Sequence, residues 1–135
     1  MGDVREILVV TGTRREASAL GGVLGLTVLA GGSDPAGLEA RLGGNIGLPI
    51  LGQEPLPAGG VYVLELSSYQ VDLTQGLDCD VAALINLSPD HLDRYDGFAG
   101  YAAAKARLFQ MQSPRHHAVF GCGDEHTLAI ARAAS

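Results

Sequence analysis

Lys105 is the only lysine among 135 residues; the other eight strongly basic side chains are arginines. It falls on a stripe formed by Phe98, Tyr101, Lys105, Leu108 and Gln112, spaced at helical steps of three and four. That stripe is the face expected to pack inward. Two roles fit such a lysine. Its stem can lie along apolar surface with the amine in water, or the amine can be partly desolvated, lowered in pKa and available for chemistry. Glu65 stands one residue from the end of the apolar run Val61–Leu66, and Asn86 with Ser88-Pro89-Asp90-His91 stands at the end of the run Val81–Leu87. Taken alone, Glu65 also reads as a rim or edge-strand carboxylate with structural partners, and His91 as a surface residue of a short helix. A common position at the carboxyl ends of neighbouring strands favours a site for both.

The elements that would position these residues alternate between strand and helix. Glu6–Thr11, Val61–Leu66, Val81–Leu87 and His117–Phe120 read as strands, and Leu26–Ala30 as a further apolar run. Arg14–Leu24 has helical composition, and a short helix is expected from Ser33 or Asp34 through Leu42. Gly43 to Pro49 reads as a glycine-rich loop, followed by a polar turn around Pro55–Gly60. Ser88-Pro89 joins a good cap to a proline at the first helical position, which predicts a short helix with His91 near its third position. Helices are also expected over Gly97–Gln112 and Asp124–Ala134. The fold class is α/β: three layers, a mostly parallel sheet and helices on both faces, in a single domain over residues 1–135.

Composition limits the partners. Apolar residues make up 47% of the chain and charged residues 18%, enough for a packed core and unlike a disordered chain. Formal net charge is −6 with no basic run, which argues against nucleic acid and anionic membranes as partners. No apolar stretch approaches the ~18 residues of a membrane span. The first residues lack the pattern of a signal peptide, and Cys79 and Cys122 have no metal-ligand spacing. A cytoplasmic location is expected.

Four segments then carry a resemblance. They are Gly43-Gly44-Asn45-Ile46-Gly47-Leu48-Pro49, Val63-Leu64-Glu65-Leu66-Ser67-Ser68-Tyr69-Gln70, Asn86-Leu87-Ser88-Pro89-Asp90-His91-Leu92-Asp93-Arg94-Tyr95 and Tyr101-Ala102-Ala103-Ala104-Lys105. In this order and spacing, residues 43–135 resemble the central domain of the Mur ligase family. The resemblance implies a cytoplasmic ligase of peptidoglycan synthesis. Such an enzyme uses ATP to form an acyl phosphate on a UDP-N-acetylmuramoyl-alanine-type ligand, which an amino acid, D-glutamate in the branch resembled, then attacks. It further implies that Asn45 contacts the UDP-muramoyl substrate, that Ser67, Ser68 and Asn86 lie beside its pocket, and that Glu65 and His91 hold Mg²⁺. Lys105 resembles the family's carbamylated lysine, which helps to place that metal. Hard oxygen ligands with one imidazole can hold Mg²⁺ between phosphates, where the ion offsets charge developing during transfer.

The start of the chain departs from that pattern. The family's phosphate loop has the form Thr-Gly-(Thr/Ser)-Asn-Gly-Lys-(Ser/Thr), whereas this chain reads Thr11-Gly12-Thr13-Arg14-Arg15-Glu16-Ala17-Ser18. The glycine that turns backbone N–H groups toward phosphate is gone, and so is the lysine that reaches the terminal phosphates. Residues 7–42 are instead similar to the start of nucleoside-phosphorylase-like proteins. Nor is there room here for the ligases' substrate-binding and amino-acid-binding flanking domains. The expected function is a fragment or remnant of an ATP-dependent Mur ligase, inactive alone. The alternatives are a non-catalytic or chimeric α/β module and a nucleoside-phosphorylase-like protein.

Overall fold

The computed structural model describes residues 6–11, 40–45, 49–56 and 60–134. Five strands, β1 (Glu6–Thr11), β2 (Ala40–Gly44), β3 (Val61–Glu65), β4 (Val81–Leu84) and β5 (His117–Phe120), form one sheet in the order β2-β3-β1-β4-β5. Every pairing is parallel. Helices α1 (Ser68–Leu73), α2 (Gly97–Gln110) and α3 (Glu125–Ala133) and a 3-10 turn at Ile50–Gly52 complete the described elements. Parallel strands require crossovers, so each strand delivers its carboxyl end to the same side. The register shows this directly: Gly44, Glu65 and Val10 share one row, and Thr11, Leu84 and Phe120 another.

The interior strands are apolar because both of their faces are covered. Val63, Ala82, Ala83 and Leu84 are almost wholly buried. Leu64, Leu66, Val71, Leu87, Tyr101, Leu108 and Phe109 belong to a single core cluster that joins sheet, α1 and α2. The α2 stripe points inward as its spacing predicts, with Tyr101, Lys105 and Leu108 buried.

Several expectations are corrected. The helix expected through Leu42 does not reach that residue. Ala40–Gly44 is a strand paired with β3 from Ala40↔Val61 to Gly44↔Glu65. Ladder pairing overrides the helical composition of Leu-Glu-Ala-Arg-Leu, so Gly43 and Gly44 close a strand rather than open a loop. β3 lies between β2 and β1, so Glu65 is not on an edge strand. β4 stops at Leu84, three residues short of the expected end. No helix starts at Ser88-Pro89: residues 88–91 are irregular, 92–96 form turns, and His91 is left-handed with φ of 51°. A left-handed residue at that point ends any right-handed helical path.

Helix α1 went unassigned, although Ser67-x-x-Gln70 is a capping box. Ser67 Oγ accepts from the Gln70 amide, and Gln70 Oε1 accepts from the Ser67 amide. The elements expected over Arg14–Leu24 and Leu26–Ala30, the helix start at Ser33 or Asp34, and the altered phosphate loop after Thr11 lie outside the described residues. No helix among the described residues is long and apolar enough to cross a membrane.

Candidate functional site at the carboxyl edge of the sheet

Glu65 closes β3 and is 5% exposed; the chain turns directly from it into Ser67 and α1. Beside it, the Asn45 amide donates to the Glu65 carbonyl at 2.7 Å. The approach needs glycine at 44, where φ is +98° and a Cβ would sit 2.1 Å from that same carbonyl oxygen. Asn45 is thereby fixed at the end of β2 with its side chain exposed.

Lys105 enters from α2. It is 8% exposed, and its Nζ lies 5.9 Å from the centre of the Tyr101 ring. Burial pulls its amine below the usual lysine range, while Glu65 and Asp90 pull the other way without winning. The amine is buried with its helix face and lies within electrostatic reach of two carboxylates. Tyr101 shares this environment: burial, Asp90 and Tyr95 all push its hydroxyl upward.

His91 stands differently from the sequence expectation. It is exposed, its Nε2 is 3.4 Å from Asp90 Oδ2, and its ring packs on Tyr69 of α1 at 4.9 Å. The Arg94 guanidinium covers the same Tyr69 ring at 4.2 Å. Asn86 is likewise exposed, just beyond β4. The expected site residues thus divide into a buried group (Glu65, Ser68, Lys105) and an exposed rim (Asn45, Asn86, His91), with Asp90 acting on Lys105 and contacting His91.

The two serines have different duties. Ser67 Oγ also lies 3.2 Å from Gln70 Oε1, so its hydroxyl is engaged in the cap of α1. Ser68 is 2% exposed, and its Oγ is buried with no hydrogen-bond partner among the described residues; the hydroxyl of Tyr95 is in the same condition. An unsatisfied buried hydroxyl costs free energy unless something fills its valence. Both are candidates to meet a ligand.

Among the described residues no group of three or more His, Cys, Asp or Glu side chains forms a ready-made metal cage. Mg²⁺ does not require one, since it keeps several waters and is commonly held by one or two carboxylates together with substrate phosphates. Glu65, a carboxylate at the end of β3, is a donor of the kind that chemistry uses. The sequence does not single out Asp90 and Tyr69, which contact His91, although both stand inside the quoted motifs.

A five-stranded, all-parallel sheet with helical crossovers defines an α/β domain whose carboxyl edge is where open sheets of this kind take ligands. A sequence profile described as "Mur ligase middle domain" matches residues 15–135, and the chain belongs to that family. The match starts upstream of Gly43, so the family likeness includes most of the segment that reads differently at the start of the chain. A UDP-N-acetylmuramoylalanine–D-glutamate ligase of Novosphingobium aromaticivorans is 87% identical over 100 residues, which is 74% of this chain and 23% of that protein. The protein of the same name from Sphingopyxis alaskensis is 49% identical over 126 residues, covering 93% of this chain and 28% of the relative. The chain spans about a quarter of the length of these relatives. A crystal structure of MurF from Acinetobacter baumannii superposes with a TM-score of 0.61 at 16% identity, over 96% of this chain and 29% of that one, and bears on the fold alone.

Proposed function

We propose that this chain is the middle-domain part of a cytoplasmic D-glutamate-adding Mur ligase, and that alone it presents a partial ligand surface without turning over ATP. The observation that carries the reading is Lys105, buried in α2 and within electrostatic reach of Asp90 and of Glu65, the acid that closes β3. Lysine is rarely buried without a charged partner or a task.

In this reading Asn45 and Ser68 hold the UDP-N-acetylmuramoyl-alanine-type ligand, Asn86 lines the rim, and Ser67 fixes the helix that presents Ser68. Glu65 and His91 would hold Mg²⁺, with Lys105 close by. When bound, the ion would offset the negative charge that develops as phosphate is transferred to the substrate carboxylate. Lys105 lowers the cost of that charge from the protein side, and its burial keeps water from the amine. A carbamate on Lys105 would need an unprotonated amine, which burial favours, and then a cation to stabilise the new anion. Without bound Mg²⁺, Lys105 is expected to be unmodified.

ATP binding is expected to be weak, because Arg14-Arg15-Glu16 stands where the family has its Gly-Lys. Each lost charge-assisted hydrogen bond removes ~1.5–3 kcal/mol, and every ~1.4 kcal/mol is tenfold in affinity. Calorimetric titration of the purified chain tests the reading in two arms, Mg·ATP and UDP-N-acetylmuramoyl-alanine, each with and without Mg²⁺. Nucleotide-sugar binding that Asn45→Ala weakens, with no micromolar ATP site, supports it. A micromolar Kd for Mg·ATP would overturn the claim of a disabled nucleotide site.

A further inference from the structure

The segment 85–96 carries Asn86, Asp90 and His91, yet it contains no helix or strand that could hold it in place. Its beginning is fixed by the buried Leu87 side chain and by the chain that leaves β5. Gly121, one residue beyond that strand, donates its amide to the Leu84 carbonyl at 2.9 Å, and a Cβ at 121 would lie 1.8 Å from the Ile85 carbonyl oxygen. Three residues on, Asp124 Oδ2 accepts the amide of Leu87 at 3.2 Å across a separation of 37 residues. The chain leaving β5 is thus laid along the chain leaving β4, with 121 against 84–85 and 124 against 87.

The same carboxylate begins α3. Asp124 Oδ1 accepts the Thr127 amide at 2.7 Å, and Oδ2 accepts the Thr127 hydroxyl at 2.8 Å. Thr127 is wholly buried, so its hydroxyl depends on this acceptor. Burial pushes the Asp124 carboxyl up, but the bonds from Thr127 and Leu87 outweigh it and hold the group below the usual aspartate value. An ordinary cap needs only Oδ1. The second oxygen, shared between Thr127 and a loop amide outside any sheet ladder, goes beyond capping.

We infer that Asp124 is a positioning residue of the candidate site: its Oδ2 anchors Leu87, and through Leu87 it sets the course of the segment that carries Asn86 and His91. The inference deepens the ligase reading, and in that respect rests on it, but the anchor itself requires no ligand. Asp124 touches no expected ligand; it acts through the backbone between β4 and His91.

Amide hydrogen exchange and NMR on the 135-residue chain test this. In the unaltered chain the Leu87 amide should be protected although it lies outside β4, while Ser88 exchanges freely. Asp124→Asn keeps one acceptor oxygen for the Thr127 amide and replaces the oxygen that Leu87 uses. The Leu87 amide should then exchange about 10- to 100-fold faster relative to that of Leu84, the range that fits one lost charge-assisted hydrogen bond. The His91 ring signals should move with it. Thr127→Val removes only the hydroxyl, so α3 is perturbed while the Leu87 amide keeps its protection. Unprotected Leu87 in the original chain overturns the inference whether or not the variants fold. So does an Asp124→Asn chain in which Leu87 and His91 are unchanged, or Thr127→Val loosening Leu87 equally. None of these readouts uses nucleotide or metal, so failure of the ligase reading would leave the anchor standing, and the reverse also holds.

Discussion

The amide of Asn45 donates to the carbonyl of Glu65 at 2.7 Å, tying the end of β2 to the buried acid that closes β3. The bond exists because residue 44 has no side chain: its φ is +98°, and a Cβ would meet the Glu65 carbonyl oxygen at 2.1 Å. Gly44→Ala is therefore expected to destabilise the domain by about 2–4 kcal/mol, from left-handed strain plus a clash with backbone that cannot step aside. Urea denaturation with an unchanged m-value would read it. A loss below half a kilocalorie would mean that β2 shifts without penalty, and that Asn45 is not fixed by this contact.

Cysteine chemistry offers a second check. Cys79 is wholly buried, and burial, aided by Asp78 and Asp80, pushes its thiol up to about 12. Cys122 is exposed, and both cysteines are free. The thiolate is the reactive form, so iodoacetamide at pH 8 should label Cys122 in the native chain and both residues in urea, as counted by mass spectrometry. Labelling of Cys79 as fast as that of Cys122 without denaturant would contradict the packing around β4.

Tyr69 joins α1 to the irregular segment that carries His91. His91 packs on its ring at 4.9 Å and Arg94 covers it at 4.2 Å, while Arg94 Nη2 is 3.9 Å from Asp72. An exposed cation–π contact contributes ~0.5–1 kcal/mol. Tyr69→Ala should therefore cost little in global stability and yet release residues 91–94, whereas Tyr69→Phe should preserve their positions. Ring-current shifts of the His91 and Arg94 protons measure this. Identical spectra for the alanine and phenylalanine variants would remove Tyr69 from the site.

The sequence made the sheet legible wherever an apolar run had its own periodicity. Val61–Glu65, Val81–Leu84 and the inward stripe of α2 needed no tertiary information. β2 did need it, because Ala-Arg-Leu-Gly-Gly becomes a strand only by pairing with β3. The Ser88-Pro89 signal failed for a related reason. A cap and a proline can start a helix only if the following residues stay right-handed, and His91 does not. Membership in the Mur ligase family was readable from four short motifs because they keep chemically demanding residues in fixed order. The neighbours that tune them were harder to see. Asp90 acts on Lys105 through space, and Asp124 reaches Leu87 across 37 residues; neither relation leaves a local spacing to read.

Lys105 yields the last prediction, through the sign of its linkage. Burial holds its folded pKa below the 10.5 of a free lysine, against the attraction of Glu65 and Asp90. Between the folded value and 10.5 the unfolded chain binds more protons, so the contribution of this group to stability rises with pH through that window. Below the folded value the full penalty of burying the charged amine applies. Lys105→Met keeps the stem and removes the charge, and should stabilise the chain at pH 7. Replacing a whole buried ion pair by apolar groups commonly gains about 1–4 kcal/mol, whereas removing one partner leaves the other buried without it; a gain below that range is expected here, because Lys105→Met leaves Glu65 buried without this cation. The advantage over the unaltered chain should shrink as pH climbs toward 10.5, and should grow at pH 7 when Glu65→Gln is present in both chains. Denaturant midpoints between pH 7 and 11 give the curve. A difference independent of pH would show that the amine is not desolvated. A stability gain on removing Lys105 is what a residue kept for binding or chemistry should display.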